Sequence, residues 1–308
     1  MFKCAIIQSM SDCSIKEDLI KIKELKLISK IENSPLLVLL GYYPEDDLSG
    51  AGNIVKGGLG EEYSLLLDLA SGIARGHSVY FSPGVLLEEE GGAFYFSSFL
   101  FNPDGEIILK QQQLYPAGKV KSSGPGDDMG EPGGNCIKAA KTINYAETEL
   151  GKIGLISGRD CWHPEIGRVM ALEKVEIVLA VNRMGFNESF PANCWQQMAG
   201  IWSQVQQNQF IALEASLGGQ NLVHGPCEIT PYRTGILAPV GKEENARKKS
   251  IEPYFEDISG VYSEVDGFKV ITAEIDINGL KRIQSSYPLL KHLNPSLYCK
   301  EMRGWRRI

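Results

Sequence analysis

The sequence has no basic excess, no paired cysteines, few histidines and no long apolar run, and each absence removes a class of function. With 31 Lys+Arg against 38 Asp+Glu the formal net charge is -7 at pH 7. That balance argues against nucleic acid or an anionic membrane surface as the main partner, since both require a dense basic face. The one basic cluster, Arg303, Arg306 and Arg307, reads as a solvated chain end or an oligomer contact. The seven cysteines, Cys4, Cys13, Cys136, Cys161, Cys194, Cys227 and Cys299, are odd in number and contain no Cys-x-x-Cys pair. They read as free thiols in a reducing cytoplasm, not as a disulfide framework or a zinc site. His77, His163, His224 and His292 lie too far apart for His-x-x-x-His or Glu-x-x-His spacing, so neither a metal centre nor a cofactor is expected. GGLGEEY and GPGDDMGEPGG lack the strand and helix that flank a phosphate-cradling loop. The opening MFKCAIIQS has no extended apolar core with a small-residue cleavage site, so no signal peptide and no membrane span are expected.

What is present is the composition of a soluble globular chain, 43% hydrophobic and 22% charged over 308 residues, a length that buries roughly three quarters of its unfolded surface. Short β-rich apolar runs alternate with helical stretches throughout, the pattern of a layered α/β domain. The clearest strands are Cys4 to Gln8, Leu36 to Leu40, Ser78 to Pro83, Phe96 to Phe101, Ile107 to Leu109, Ile153 to Ser157, Glu176 to Val181, Phe210 to Ala215 and Val270 to Ile275. Ile15 to Lys30 carries apolar residues at helical spacing and is expected to form one amphipathic helix; Met198, Ile201, Trp202 and Val205 mark one face of another. Gly118 to Asn135 and Gly241 to Gly260 read as long surface loops. No composition shift accompanies them, so residues 1–308 are taken as a single domain.

Five segments in order resemble the nitrilase, or carbon-nitrogen hydrolase, superfamily across nearly the whole chain. They are FKCAIIQS with the later LLVLL, FNPDGEIILKQQQLYPAGK, KIGLISGRDCWHPEIGRVMAL, VQQNQFIALEAS with GPCEITPYRTGILA, and ITAEIDINGLKRIQSSYPLLKHLNPSLY. The resemblance implies a four-layer α-β-β-α sandwich. It also implies a homodimer or larger homo-oligomer in which helices near Glu165 to Glu173 meet across a two-fold axis, with the tail 299–308, including Trp305, at that contact.

Active members of the superfamily use a Glu base, a Lys that stabilises the oxyanion and a Cys nucleophile, the ordinary logic of an activated thiol and a fixed positive charge. Carried over residue by residue, each position holds something else. The strand LLVLL runs into Gly41 where the base belongs. Counting back three residues from Leu114 places Gln111 at the lysine. Anchoring on Gly154, Asp160, Pro164 and Glu165 without a gap places Gly158 at the nucleophile. Two accessory glutamates become Lys119 and Gln207.

Substitutes stand nearby, Glu45 four residues late, Lys110 one early and Cys161 three late, but no single shift restores all three. A one-residue slip on a strand also turns Lys110 to the opposite face from Gln111. Ser157 with His163 forms an imaginable serine pair, but strand alternation aims Ser157 away from the Gly158 side. The sequence therefore implies a catalytically inactive member. Two glycines and a glutamine would leave its pocket roomier and less charged, lined or supported by Arg159, Asp160 and Lys110, and open to a small carboxylate or amide; a structural or regulatory role is the other use of such a fold. The alternative is an active amidase-type hydrolase with a displaced triad of Glu45, Lys110 and Cys161.

Overall fold

The computed structural model describes residues 1–10, 14–32, 34–44, 61–116, 119–120, 135–183, 201–217, 222–224, 261–286, 288–294 and 296. Both long loops predicted from the sequence fall largely or wholly outside these residues, as do Glu45 and the tail 299–308.

Strand β1 (Phe2–Ser9) explains why the apolar runs are nearly continuous. Its alternate residues enter different cores. Cys4 and Ile6 pack with Leu37, Leu39, Leu155, Leu179 and Leu213, whereas Ala5 and Ile7 pack with Leu19, Ile22 and Ile73. A strand covered on both faces has no place for a polar alternation. It is followed by α1 (Ile15–Glu24), α2 (Leu27–Lys30), β2 (Leu37–Leu40), α3 (Glu61–His77), β3 (Tyr80–Ser82), β4 (Val85–Glu90), β5 (Ala93–Phe101) and β6 (Ile107–Gln112). Two short strands, β7 (Lys119–Val120) and β8 (Asn135–Cys136), pair with each other. The second half contributes β9 (Tyr145–Thr148), β10 (Gly151–Ser157), a 3-10 turn (Gly158–Trp162), α4 (Pro164–Leu172), β11 (Ile177–Arg183), α5 (Ile201–Asn208), β12 (Ile211–Leu217) and β13 (Leu222–His224). The described chain then continues with β14 (Val261–Val265), β15 (Phe268–Ile275) and α6 (Ile277–Ser286).

An eight-stranded sheet runs β14-β15-β1-β2-β3-β5-β4, with β6 pairing β5. A five-stranded sheet runs β13-β12-β11-β10-β9. Their facing sides share one core. The outer side of the first sheet packs on α1 and α3, and that of the second packs Ile156, Val178, Ala180 and Ala212 against Ile166 and Met170 of α4 and Ile201 and Val205 of α5. The architecture is thus the four-layer α-β-β-α sandwich. Gly154 lets α4 lie close to β10, since a Cβ there would stand 2.9 Å from the Met170 sulfur.

The expected single helix from Ile15 to Lys30 is two. α1 starts on a capping box between Ser14 and Glu17, and the helical path breaks at Lys26, whose φ is 48°. The break swings Leu27 and Ile28 into the outer core, 0% and 3% exposed, and leaves Leu25 39% exposed. β4, β9, β13 and β14 were not legible as strands, and VLLEEE of β4 shows why: its apolar half is core, Glu88 is buried with it, and only Glu89 and Glu90 are exposed. Among the described residues no helix is long and apolar enough to cross a membrane.

Candidate functional site

The candidate site is the turn where β10 leaves the sheet at its carboxyl end, the place where ligands gather in open parallel sheets. β10 and β11 run parallel, with Ser157 opposite Val181. The chain then turns at Gly158, with φ +54°, and α4 begins with Pro164 in its first turn. Strand-to-helix elbows in covalent hydrolases strain the nucleophile they expose. Glycine at this φ carries no such strain.

Asp160, 2% exposed, ties the elbow to the segment after β6. Its two oxygens accept hydrogen bonds from the backbone N–H groups of Leu114 and Tyr115, each at 2.7 Å. Burial pushes its carboxyl up to about 6 despite those two bonds. Both oxygens are occupied, so Asp160 acts as a brace for the elbow.

At Gly158 itself there is little room for a side chain. A Cβ on Gly158 would lie 2.5 Å from Gln113 Nε2, 2.5 Å from Tyr43 Oη and 2.9 Å from Tyr43 Cε2. Tyr43 donates to Gln113 Oε1 at 3.1 Å, and its ring packs on Phe96 with centroids 5.3 Å apart. Gln113 and Ser157 are each 1% exposed, and among the described residues neither Gln113 Nε2 nor Ser157 Oγ has a hydrogen-bond partner. The sequence reading missed Tyr43, Gln113 and Phe96. The signal for two of them was strand alternation, because Gln113 shares a face with Gln111 and Tyr43 with Gly41.

Gly41 and Gln111, the other two positions expected from the family resemblance, are also committed. Gly41 is buried, its N–H bonds Ile7 O at 2.7 Å, and a Cβ on it would sit 3.0 Å from Ala215 Cβ. Gln111, 2% exposed, donates from Nε2 to Thr142 O at 3.0 Å and accepts the Asn144 N–H at 2.7 Å. It thereby holds the segment leading into β9.

Of the displaced candidates, Lys110 and Cys161 do not turn toward Gly158, and Glu45 lies outside the described residues. Lys110 leaves the opposite face of β6 and bonds Glu88 at 2.6 Å and Glu90 at 3.1 Å. Partial burial works to lower its pKa, but the hydrogen bonds to those two carboxylates outweigh it and raise it. Cys161 is 0% exposed within the core formed by α4, α5 and the five-stranded sheet. Burial first, then the nearby Glu214 and Asp160 carboxylates, push its thiol well above the usual range. A thiol so placed is a poor source of thiolate.

Around the turn, Arg159 and Trp162 are exposed. His163 stacks on Tyr115 at 3.7 Å and meets Glu165 Oε1 at 3.3 Å through Nδ1. Gln207 is exposed on α5, and the Lys119 side chain lies outside the described residues. Among the described residues no three His, Cys, Asp or Glu side chains group as metal ligands.

The family pattern described as carbon-nitrogen hydrolase matches residues 37–227. N-carbamoylputrescine amidase of Arabidopsis thaliana is 26% identical over 228 residues, covering 70% of this chain and 66% of that protein, so the match spans just under two thirds of that relative. Among solved structures, a carbon-nitrogen hydrolase from Helicobacter pylori G27 has a TM-score of 0.66 at 17% identity, covering 97% of each chain. Saccharomyces cerevisiae Nit3, a member of branch 10 of the nitrilase superfamily, has a TM-score of 0.60 at 16% identity, covering 94% of this chain and 96% of its own. A variant amidase from Nesterenkonia sp. AN1, with the acetamide moiety of fluoroacetamide added covalently at its active-site cysteine, has a TM-score of 0.60 at 13% identity, covering 97% of this chain and 96% of its own. These structural likenesses establish the nitrilase-type sandwich, and the sequence pattern, which takes in more than half of the residues, establishes that the chain belongs to the carbon-nitrogen hydrolase family.

Proposed function

We propose that this protein is a catalytically inactive member of its family, serving as a structural or regulatory subunit. The observation that carries the reading is the filled elbow. Tyr43 and Gln113 stand against the bare Cα of Gly158, in the place where a covalent hydrolase needs both a nucleophile and room for its substrate. A second reading, binding of a small carboxylate or amide at the mouth of the elbow, is favoured by the exposed Arg159 beside the Tyr115–His163 stack. In that reading Asp160 supports the site from behind, because both its oxygens are already bonded, and Lys110, paired with Glu88 and Glu90 on the opposite face of β6, takes no part.

The test is a steady-state assay against short amides, ureas and nitriles, with no turnover expected. Brief alkylation of the native protein followed by mass mapping should leave Cys161 unmodified. Turnover that disappears in Cys161→Ala, together with rapid native labelling of that thiol, would establish the displaced-triad hydrolase instead.

The same reading includes a homodimer paired through α4. Val169 and Leu172 on that helix are 42% and 52% exposed, an apolar pair that a partner would cover. Val169→Asp with Leu172→Asp is expected to shift the sedimentation coefficient from dimer to monomer. A wild-type protein that already sediments as a monomer at micromolar concentration rules the dimer out.

A further inference from the structure

A cavity of about 460 Å³ opens at the end of the five-stranded sheet opposite to Gly158, between the start of β10, the loops entering β11 and β12, α6 and the segment after it. That volume falls in the range of small-molecule pockets. Lys152, Lys174, Lys281 and Lys291 line it together with Glu147 and Glu176. The two carboxylates are engaged: Glu147 meets Lys152 at 3.2 Å and Glu176 meets Lys281 at 3.1 Å. The Lys152 ammonium also lies 4.0 Å over the Tyr145 ring. Lys174 and Lys291 have no acidic partner among the described residues, so the rim has two ammonium groups in excess. Below them the wall is apolar, with Ala171, Pro288 and Leu290.

The backbone supplies an independent observation. Lys174 and Gln209, both lining this cavity, have φ of 62° and 53°. Each follows the last turn of a helix, α4 or α5, in the position usually given to glycine because a Cβ is disfavoured there. The negative end of α4 offsets part of that penalty for a cation at Lys174, and Gln209 is held by its N–H to Val205 O and by Gln284 Nε2, which donates to its carbonyl, each at 2.8 Å. Strained residues that cluster on one cavity wall are a mark of ligand clamps.

We infer that this cavity binds a small organic anion, its acidic head held by Lys174 and Lys291 and its apolar body laid on Ala171, Pro288 and Leu290. The site is remote from the elbow and stands whatever chemistry the elbow has. The test is calorimetric titration of the full chain with hexanoate and, separately, inorganic phosphate, which has the charge without the apolar body. Hexanoate is expected to bind saturably and more tightly than phosphate. Lys174→Gly and Lys291→Ala should each weaken it about fivefold, the upper end of what losing one exposed charged contact costs. Lys174→Gly also removes the backbone strain, so its melting temperature should not fall, and lost binding cannot then be ascribed to a damaged fold. Absence of saturable hexanoate binding, phosphate binding as tightly as hexanoate, or unchanged affinity in both lysine variants would each overturn the proposal.

Discussion

Gly158→Cys, the change that places a thiol where the family resemblance puts the nucleophile, is expected to lower the unfolding free energy by about 2 to 5 kcal/mol and to produce no amidase activity. Two penalties add. A non-glycine residue in the left-handed region costs about 1 to 2 kcal/mol, and overpacking a filled interior costs about 1 to 3 kcal/mol. The new Cβ would meet Tyr43 Oη and Gln113 Nε2 at 2.5 Å, and Tyr43 is wedged against Phe96, so it has little freedom to yield. Tyr43→Ala, destabilising by itself through the cavity it leaves, should be less than additive with Gly158→Cys by at least about 1 kcal/mol, because each change relieves the other. Denaturant unfolding of the two single variants and the double variant measures this coupling. Should Gly158→Cys alone leave stability within about 0.5 kcal/mol of the wild type, the elbow has room and the filled-site reading fails. Adding Gly41→Glu and Gln111→Lys should not rescue activity, since Gln111 braces Thr142 and Asn144 and Gly41 already abuts Ala215.

Asp160→Ala is expected to destabilise the fold by about 2 kcal/mol at pH 7 and by roughly 2 kcal/mol more at pH 4. The substitution leaves the Leu114 and Tyr115 N–H groups without the carboxylate that accepts them. The pH dependence follows from the carboxyl's folded pKa of about 6 against an ordinary 3.8. A raised pKa means that the folded chain holds the proton more tightly than the unfolded one. Below about pH 4 the group is protonated in both states and its full favourable contribution remains. As the pH climbs through 6, ionisation in the buried site works against the fold, so the wild type loses part of its advantage over the alanine variant. Asp18 is pushed up to about 6 mainly by burial and adds a background of the same sign. Glu88, whose burial works to raise its pKa but whose bonds from Lys110, Ser97 and Gln112 lower it overall, adds one of opposite sign. Both cancel when the variant is subtracted from the wild type. A substitution cost larger at pH 7 than at pH 4 would show that the hydrogen bonds outweigh burial and that the assignment of Asp160 as a burdened brace is wrong.

Most of the scaffold was legible because its signals are local. Runs such as CAIIQ and LLVLL form strands because they are apolar on both faces, and both are buried between helices and the facing sheet. The turn glycines and the Asp160, Pro164, Glu165 spacing placed the elbow at Gly158 without a gap. Boundaries depended on tertiary contacts, as at Lys26, where the helix ends so that Leu27 and Ile28 can enter the core.

The sequence by itself determined the family and the layered α/β order, and it raised the expectation that Gly41, Gln111 and Gly158 stand where active members carry Glu, Lys and Cys. The state of the vacated space was decided only in three dimensions. Tyr43 follows β2, Gln113 follows β6 and Gly158 follows β10; 70 residues separate the first two, and all three meet where the two sheets face each other. Removing a side chain in the sequence leaves a void or a filled contact according to what the opposite sheet presents, and that depends on long-range packing, which no local pattern encodes. The sequence therefore suggested space at Gly158, and the packing of Tyr43 and Gln113 brings two side chains within 2.5 Å of where its Cβ would stand.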